Sequence, residues 1–460
     1  MRGLEGGMSS ISTPNALASL QKRFAILDIA GDIRVVDLDT IQAHLQGMLE
    51  GEIGMYKKQD AELKMKRHLE TLATPSTPRQ VIADFWISPA TVEYKATAFS
   101  PNIKSPSTLN FWVGPVPKPK PGNWVVLRDF IRDVICGNQE ETFSYLIQFM
   151  AHMVQKPEEK PGIIVTLIGG QGTGKGVYFS LLRAIWKSTM IQVSTLDHIV
   201  GRFNAILERN YVICMDEALF AGDRRSLDRM KSMITEPNVM IEQKLQPIRS
   251  IESVHRFFAA SNHDHFAHVE RDDRRFLFLR VSDIHKQDTT YFKKITDGIS
   301  DEQTISALFY YLMRKNISDF NIRIKPKTSE HLAQRLKSLD GFERFWYEVL
   351  SVGLLDGVGS STSVIAEFNE PWVDSIFISS SALLANYKDF NKNAQRYQTL
   401  QTKAMKDQLM KLCPSAKPSR QLIKGVGQST SCQQRGFILP NLPLARQEFC
   451  SYVGAELEWD

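Results

Sequence analysis

The apolar run Ile163-Ile164-Val165-Thr166-Leu167-Ile168 breaks directly into Gly169-Gly170-Gln171-Gly172-Thr173-Gly174-Lys175-Gly176. No other segment restricts the fold as strongly. A buried strand that ends in a glycine loop and a lysine builds a cradle for nucleotide phosphates. The glycines let backbone N–H groups turn inward, and the lysine brings a point charge to the terminal phosphates. The pattern G-x-x-x-x-G-K-[ST] is met at Gly169, Gly174 and Lys175. Gly176, however, stands where a Ser or Thr hydroxyl normally holds Mg²⁺. A purely structural glycine turn is the bland alternative, and the preceding strand argues against it. Gly169, Gly170, Gln171, Gly172, Thr173, Gly174, Lys175 and Gly176 are therefore the expected nucleotide-binding residues.

At 460 residues the chain is long enough for several domains. No apolar run approaches bilayer length and the N-terminus carries no signal pattern, so neither membrane insertion nor secretion is expected. Cys136, Cys214, Cys413, Cys432 and Cys450 are scattered and lack C-x-x-C spacing. They suit a reducing, cytoplasmic setting rather than a metal cluster or a disulfide framework. A net charge of +5 is too mild to name a partner.

Residues 1–20 are rich in glycine and serine and are expected to be disordered. An N-terminal α+β domain is expected over 21–122, opening with a hairpin around Gly31-Asp32. The proline-rich stretch Pro115 to Gly122 reads as an extended spacer. A helical collar follows over 123–160, then an α/β core over 161–300 and a helical extension over 301–356. Gly357 to Ser363 is a linker by composition, and 364–460 forms a small basic unit.

Around the glycine loop the motifs build one chemistry. Tyr211-Val212-Ile213-Cys214-Met215 is a hydrophobic strand ending in Asp216-Glu217. Asp216 can hold Mg²⁺ and Glu217 can orient or deprotonate the attacking water. A third strand, Arg256 to Ser261, ends in Asn262, whose amide can sense a γ-phosphate at the carboxyl edge of the sheet. Arg274 and Arg275 precede a fourth strand, and either could serve as an arginine finger in trans. A solvated cluster or a salt bridge to Asp272 and Asp273 is the alternative. Between the acids and Asn262, two apolar runs flank Lys244-Leu245-Gln246-Pro247, as in a hairpin with a lysine near its tip. By its chemistry alone, such a lysine is more often just solvated.

Taken in order, GGQGTGKG, YVICMDE, the Lys244 hairpin, FFAASN and DDRRF resemble the superfamily 3 helicases, specifically the helicase portion of phage, plasmid and virus primase-helicases. Asn110-Phe111-Trp112-Val113-Gly114 and Gln155-Lys156-Pro157 extend the resemblance upstream. It implies an AAA-like P-loop NTPase core, ATP and Mg²⁺ as cofactors, and a homo-hexameric ring around one DNA strand. It also implies that Lys244 contacts DNA. Gly176 departs from the pattern, with Thr173 a more weakly placed substitute hydroxyl. From Ser381 to Arg446 eleven Lys and Arg residues face only Asp389 and Asp407. A helix near Lys403 to Leu412, a basic loop and the strand Gly436 to Leu439 would suit a winged-helix-like domain gripping duplex or forked DNA. A solvated basic face is the alternative.

The sequence thus points to an ATP-dependent DNA helicase of a mobile-element replication apparatus. No primase domain is found in the chain, so a primase or polymerase would be a partner or lie upstream. Two other readings stay open. One is a weakly hydrolysing, nucleotide-gated replication initiator, and the other is an AAA-type remodelling or defence ATPase.

Overall fold

The computed structural model describes residues 13–29, 31–46, 48, 53–72, 77–103, 105–217, 223–242, 248–270, 273–359, 371–393, 400–424 and 431–459. They fall into two compact units, Met1–Ala267 with Arg274–His331, and His268–Asp273 with Leu332–Asp460.

The centre of the first unit is a five-stranded sheet. Its strands, in chain order, are β1 (Ile164–Ile168), β2 (Met190–Val193), β3 (Val212–Met215), β4 (Arg256–Ser261) and β5 (Phe276–Arg280). They lie in the order β5-β1-β4-β3-β2, and every pairing is parallel. A parallel sheet covered on both faces calls for continuous apolar runs rather than alternation. Strands β1, β3, β4 and β5 are buried nearly throughout, while the edge strand β2 exposes Gln192. All five residues of β1 are buried. Full burial of each large aliphatic side chain contributes about 1.5–3 kcal/mol. Helix α1 (Lys175–Ile185) follows β1, and α2 (Thr289–Ser300) packs against it.

An N-terminal sheet places Met55–Lys57, Asp32–Asp37, Phe24–Ile29 and Glu93–Tyr94 side by side, with the expected hairpin between Phe24–Ile29 and Asp32–Asp37. Phe24, Val35, Met65, Leu69, Val81 and Phe85 form its own core. The helix Thr13–Arg23 contributes Ala16 and Leu20 to that core, so the expected disorder over 1–20 does not extend to this helix. Its apolar face needed a partner that the local sequence does not reveal.

The expected boundary at 122 is also corrected. The segment between the sheets runs along the core, with Val116 N–H donating to Ile185 O at 2.9 Å. Trp112 packs edge-on to Tyr211 with ring centroids 4.9 Å apart, and Phe111, Leu127 and Phe179 belong to one apolar cluster. Prolines keep this segment extended, but extension does not detach it.

In the second unit, Val358–Gly359, Ile376–Ser379, Ser431–Leu439 and Lys417–Lys424 form an antiparallel sheet in that order. Helices Gly341–Val352, Ser380–Asn393, Thr402–Leu412 and Leu442–Val453 accompany it, and Trp346, Leu350, Leu409 and Phe449 fill the core. Residues 332–356 thus belong with the C-terminal unit rather than with a helical extension of the core. The helix expected at Lys403 to Leu412 forms. The expected basic loop is instead one arm of a long hairpin, with Lys417 paired to Ile438 and Lys424 to Ser431.

Candidate functional site

Parallel strands all present their carboxyl ends at one edge, so the motif residues that follow them meet there. Ser261 is paired with Ile168, and Met215 with Ala259. The ends of β1, β4 and β3 are therefore neighbours. Gly169 N–H donates to Ser261 O at 3.2 Å, which sets Asn262 next to the first glycine of the loop with its side chain exposed. Asp216 lies one strand further along, its own N–H donating to Val193 O at 2.8 Å.

Gly172 and Gly174 adopt φ of +76° and +98°, a region that an L side chain enters only at a cost. A Cβ on Gly174 would also lie 2.6 Å from the Phe292 ring and 3.2 Å from Phe130. Gly176 differs. Its Cβ position meets nothing within 4 Å, so space does not forbid a hydroxyl there. Thr173, buried in the loop, donates its Oγ1–H to Gly170 O at 2.9 Å. That bond closes the loop and turns the hydroxyl hydrogen inward.

Lys175 is buried to 8% exposure at the first turn of α1. Its Nζ donates to Gly169 O at 2.6 Å and to Gly170 O at 2.7 Å. Burial lowers its pKa, Asp216 and Asp283 oppose that shift, and Lys286 reinforces it. The four side chains thus share one electrostatic neighbourhood.

Asp216 accepts from Gln192 Nε2 at 2.8 Å through Oδ2, and from Glu217 N–H at 3.1 Å through Oδ1. Glu217 is exposed at φ +54°, a left-handed conformation uncommon for a non-glycine residue. Strained backbone of this kind tends to gather at working sites.

Arg274 and Arg275 are not brought to this edge. They precede β5, whose Phe276 is paired with Ile164 at the opposite end of β1. At about 3.3 Å per residue they stand roughly 15 Å or more along the strand from the glycine loop of their own chain. The strands Asn238–Ile241 and Arg249–Glu252 do pair as a hairpin, while Lys244 lies outside the described residues.

Several neighbours of the loop carry no motif. Gln192 is the penultimate residue of an ordinary short strand, and Asp283, Lys286, Gln287 and Phe292 come from the turn and helix after β5. Their places depend on strand order, which no local pattern reveals. Among the described residues no group of three or more His, Cys, Asp or Glu side chains could hold a metal, so a cation here would rest on Asp216, the nucleotide and water. No described helix is long and apolar enough to cross a membrane.

A model described as a family of unknown function (DUF5906) matches residues 167–275, the stretch that carries the loop, both acids and the hairpin. A DNA primase-polymerase of Nitratiruptor phage NrS-1 is 26% identical over 151 residues, which is 32% of this chain and 21% of that protein. The chain is also similar to an apo structure of the NrS-1 C terminal region (305-718), with a TM-score of 0.59 at 14% identity, covering 92% of this chain and 97% of that one. A second, A form apo structure of that region gives a TM-score of 0.58 at 13% identity. At such identities the structural likeness is one of fold.

Proposed function

We propose that this chain is an ATP-hydrolysing motor of a phage DNA replication apparatus, working as a superfamily 3-type helicase on an AAA-like P-loop core. One observation carries the reading. Lys175, Asn262 and Asp216 follow three adjacent parallel strands, β1, β4 and β3, and so share one edge of one sheet. In this reading Gly169 to Gly176 cradle the triphosphate, Lys175 neutralises it, and Asp216 holds Mg²⁺. Glu217 activates water and Asn262 senses the γ-phosphate. The similarity to a phage primase-polymerase supports the replication setting.

The placement of Arg274 and Arg275 at the far end of β5 favours assembly. Neither reaches the phosphate loop of its own chain, so an arginine finger at this position would act on a neighbouring subunit, as in a hexameric ring around single-stranded DNA. A primase or polymerase would then be a partner or a further part of a longer protein.

The test is ATP turnover with and without single-stranded DNA, together with unwinding of a forked duplex, for the wild type and Lys175→Ala. Both activities should vanish in the variant, and unchanged DNA-stimulated hydrolysis would sink the reading. Turnover that ignores DNA would favour a remodelling ATPase. Nucleotide-dependent DNA binding with little turnover would favour an initiator. Mixing Arg274→Ala or Arg275→Ala subunits with Lys175→Ala subunits should restore part of the turnover if the finger acts in trans.

A further inference from the structure

We propose that Lys286 is a second phosphate-binding cation of this site, acting in the same chain as Lys175 and letting the loop hold a nucleoside triphosphate without a divalent metal. The inference rests on the reading of the glycine loop as a nucleotide site.

Lys286 is set against the loop by backbone geometry rather than by side-chain chance. The turn that carries it is closed by Lys286 N–H to Asp283 O at 2.9 Å and Asp288 N–H to His285 O at 3.0 Å. Asp288 then caps α2, accepting from Tyr291 N–H at 2.9 Å. Gln287, at φ +60°, docks the turn on the loop by donating its N–H to Gly172 O at 3.0 Å. The result is a lysine whose Nζ lies 3.2 Å, and Cε 3.5 Å, from the point where a Cβ on Gly170 would sit. A Cβ at 170 would press the end of the lysine aside by a few tenths of an ångström.

The charge so placed is not neutralised by a salt bridge among the described residues, and Lys286 is exposed. Two ammonium groups face one loop, Lys175 from beneath it and Lys286 from the turn after β5. Like charges this close repel, and a polyphosphate between them relieves the repulsion. The same loop lacks the residue that usually binds the metal. Gly176 offers no hydroxyl, and Thr173 Oγ1–H is turned to Gly170 O. A second lysine supplies charge compensation that Mg²⁺ would otherwise bring, so nucleotide binding and metal binding separate. Hydrolysis still draws on a metal at Asp216.

The experiment is equilibrium binding of a fluorescent ATP analogue to the wild type, Lys286→Ala, Lys286→Arg and Lys175→Ala, each in Mg²⁺ and in EDTA. Wild type should lose no more than about threefold in affinity when the metal is removed, whereas Lys286→Ala should lose about tenfold or more in EDTA and less in Mg²⁺. Lys286→Arg should keep most of the affinity. Thermal melts should match, because Lys286 is exposed on a surface turn. Binding by Lys286→Ala that equals wild type in both buffers, while Lys175→Ala fails to bind, overturns the role of Lys286 alone. A wild type that needs Mg²⁺ for any binding overturns metal independence. Absence of binding by wild type in both buffers overturns the nucleotide reading itself, and this inference with it.

Discussion

Gln192 donates its Nε2–H to Asp216 Oδ2 at 2.8 Å, joining the end of β2 to the end of β3. The amide fixes the plane of the carboxylate, leaving Oδ1 toward Glu217 N–H. A residue that orients a metal-binding carboxylate typically tunes metal affinity by about 10–100-fold. Gln192→Leu should therefore raise the Mg²⁺ concentration for half-maximal ATP turnover by about tenfold, with nucleotide binding in EDTA unchanged. A Mg²⁺ titration of steady-state turnover checks this.

Gly174 and Gly176 should respond oppositely to substitution. Gly174→Ala forces a Cβ into the Phe292 ring at a φ of +98°, and the strain should destabilise the first unit by about 1–3 kcal/mol while abolishing turnover. Gly176→Ser meets open space and should melt as wild type does. Its added hydroxyl should strengthen Mg²⁺ dependence; unaltered Mg²⁺ dependence and turnover would show that the missing hydroxyl is immaterial here.

Arg420 and Arg435 stand directly opposite each other on the C-terminal hairpin, both exposed. Facing like charges cost a strand pair roughly 0.2–1 kcal/mol. Such a pair is readily explained if an anion sits over it, and a winged-helix-like contact with DNA backbone would supply one. Arg420→Ala should weaken duplex binding without sequence preference and reduce the salt slope by about one, while leaving the melting temperature equal or slightly higher. Binding isotherms across a salt series would report both.

His255 is fully buried between Ser253 Oγ and Leu207 O, each 2.9 Å away. Its Nε2 faces a carbonyl and must donate, so the neutral ring accepts at Nδ1. Burial, opposed by the Leu207 carbonyl and reinforced by Lys160 and Arg256, lowers its pKa to about 4. His152 is likewise lowered to about 4, by burial and Arg256. With both folded values below the unfolded value of about 6.5, the unfolded chain binds more protons between pH 6.5 and 4. Stability is therefore present above about pH 6.5 and falls as the pH drops toward 4. Urea melts at pH 7 and pH 5 should differ, and His255→Gln should reduce that difference while the His152 share persists.

Some of this protein was written locally. The glycine spacing, the apolar run before it, Asp216 after one strand and Asn262 after another are all short-range patterns. Backbone sterics and strand burial act over a few residues, so the loop, four of the five strands and the candidate phosphate-binding residues were legible from the chain alone, whereas the short edge strand Met190–Val193 was not. So was the helix at Thr402–Leu412, whose apolar residues repeat at helical spacing. The basic hairpin was not legible. Lys417, Pro418 and Arg420 are exposed and show no strand alternation, and pairing with the half-buried strand ending in Leu439 is what extends them. The domain limits escaped for the same reason, since the partners of Trp112 and of the helix Thr13–Arg23 are distant in sequence. Tertiary structure alone brought Gln192 to Asp216 and Lys286 to Gly170. Those meetings follow from the order β5-β1-β4-β3-β2, and strand order is fixed by long-range packing that no local pattern encodes.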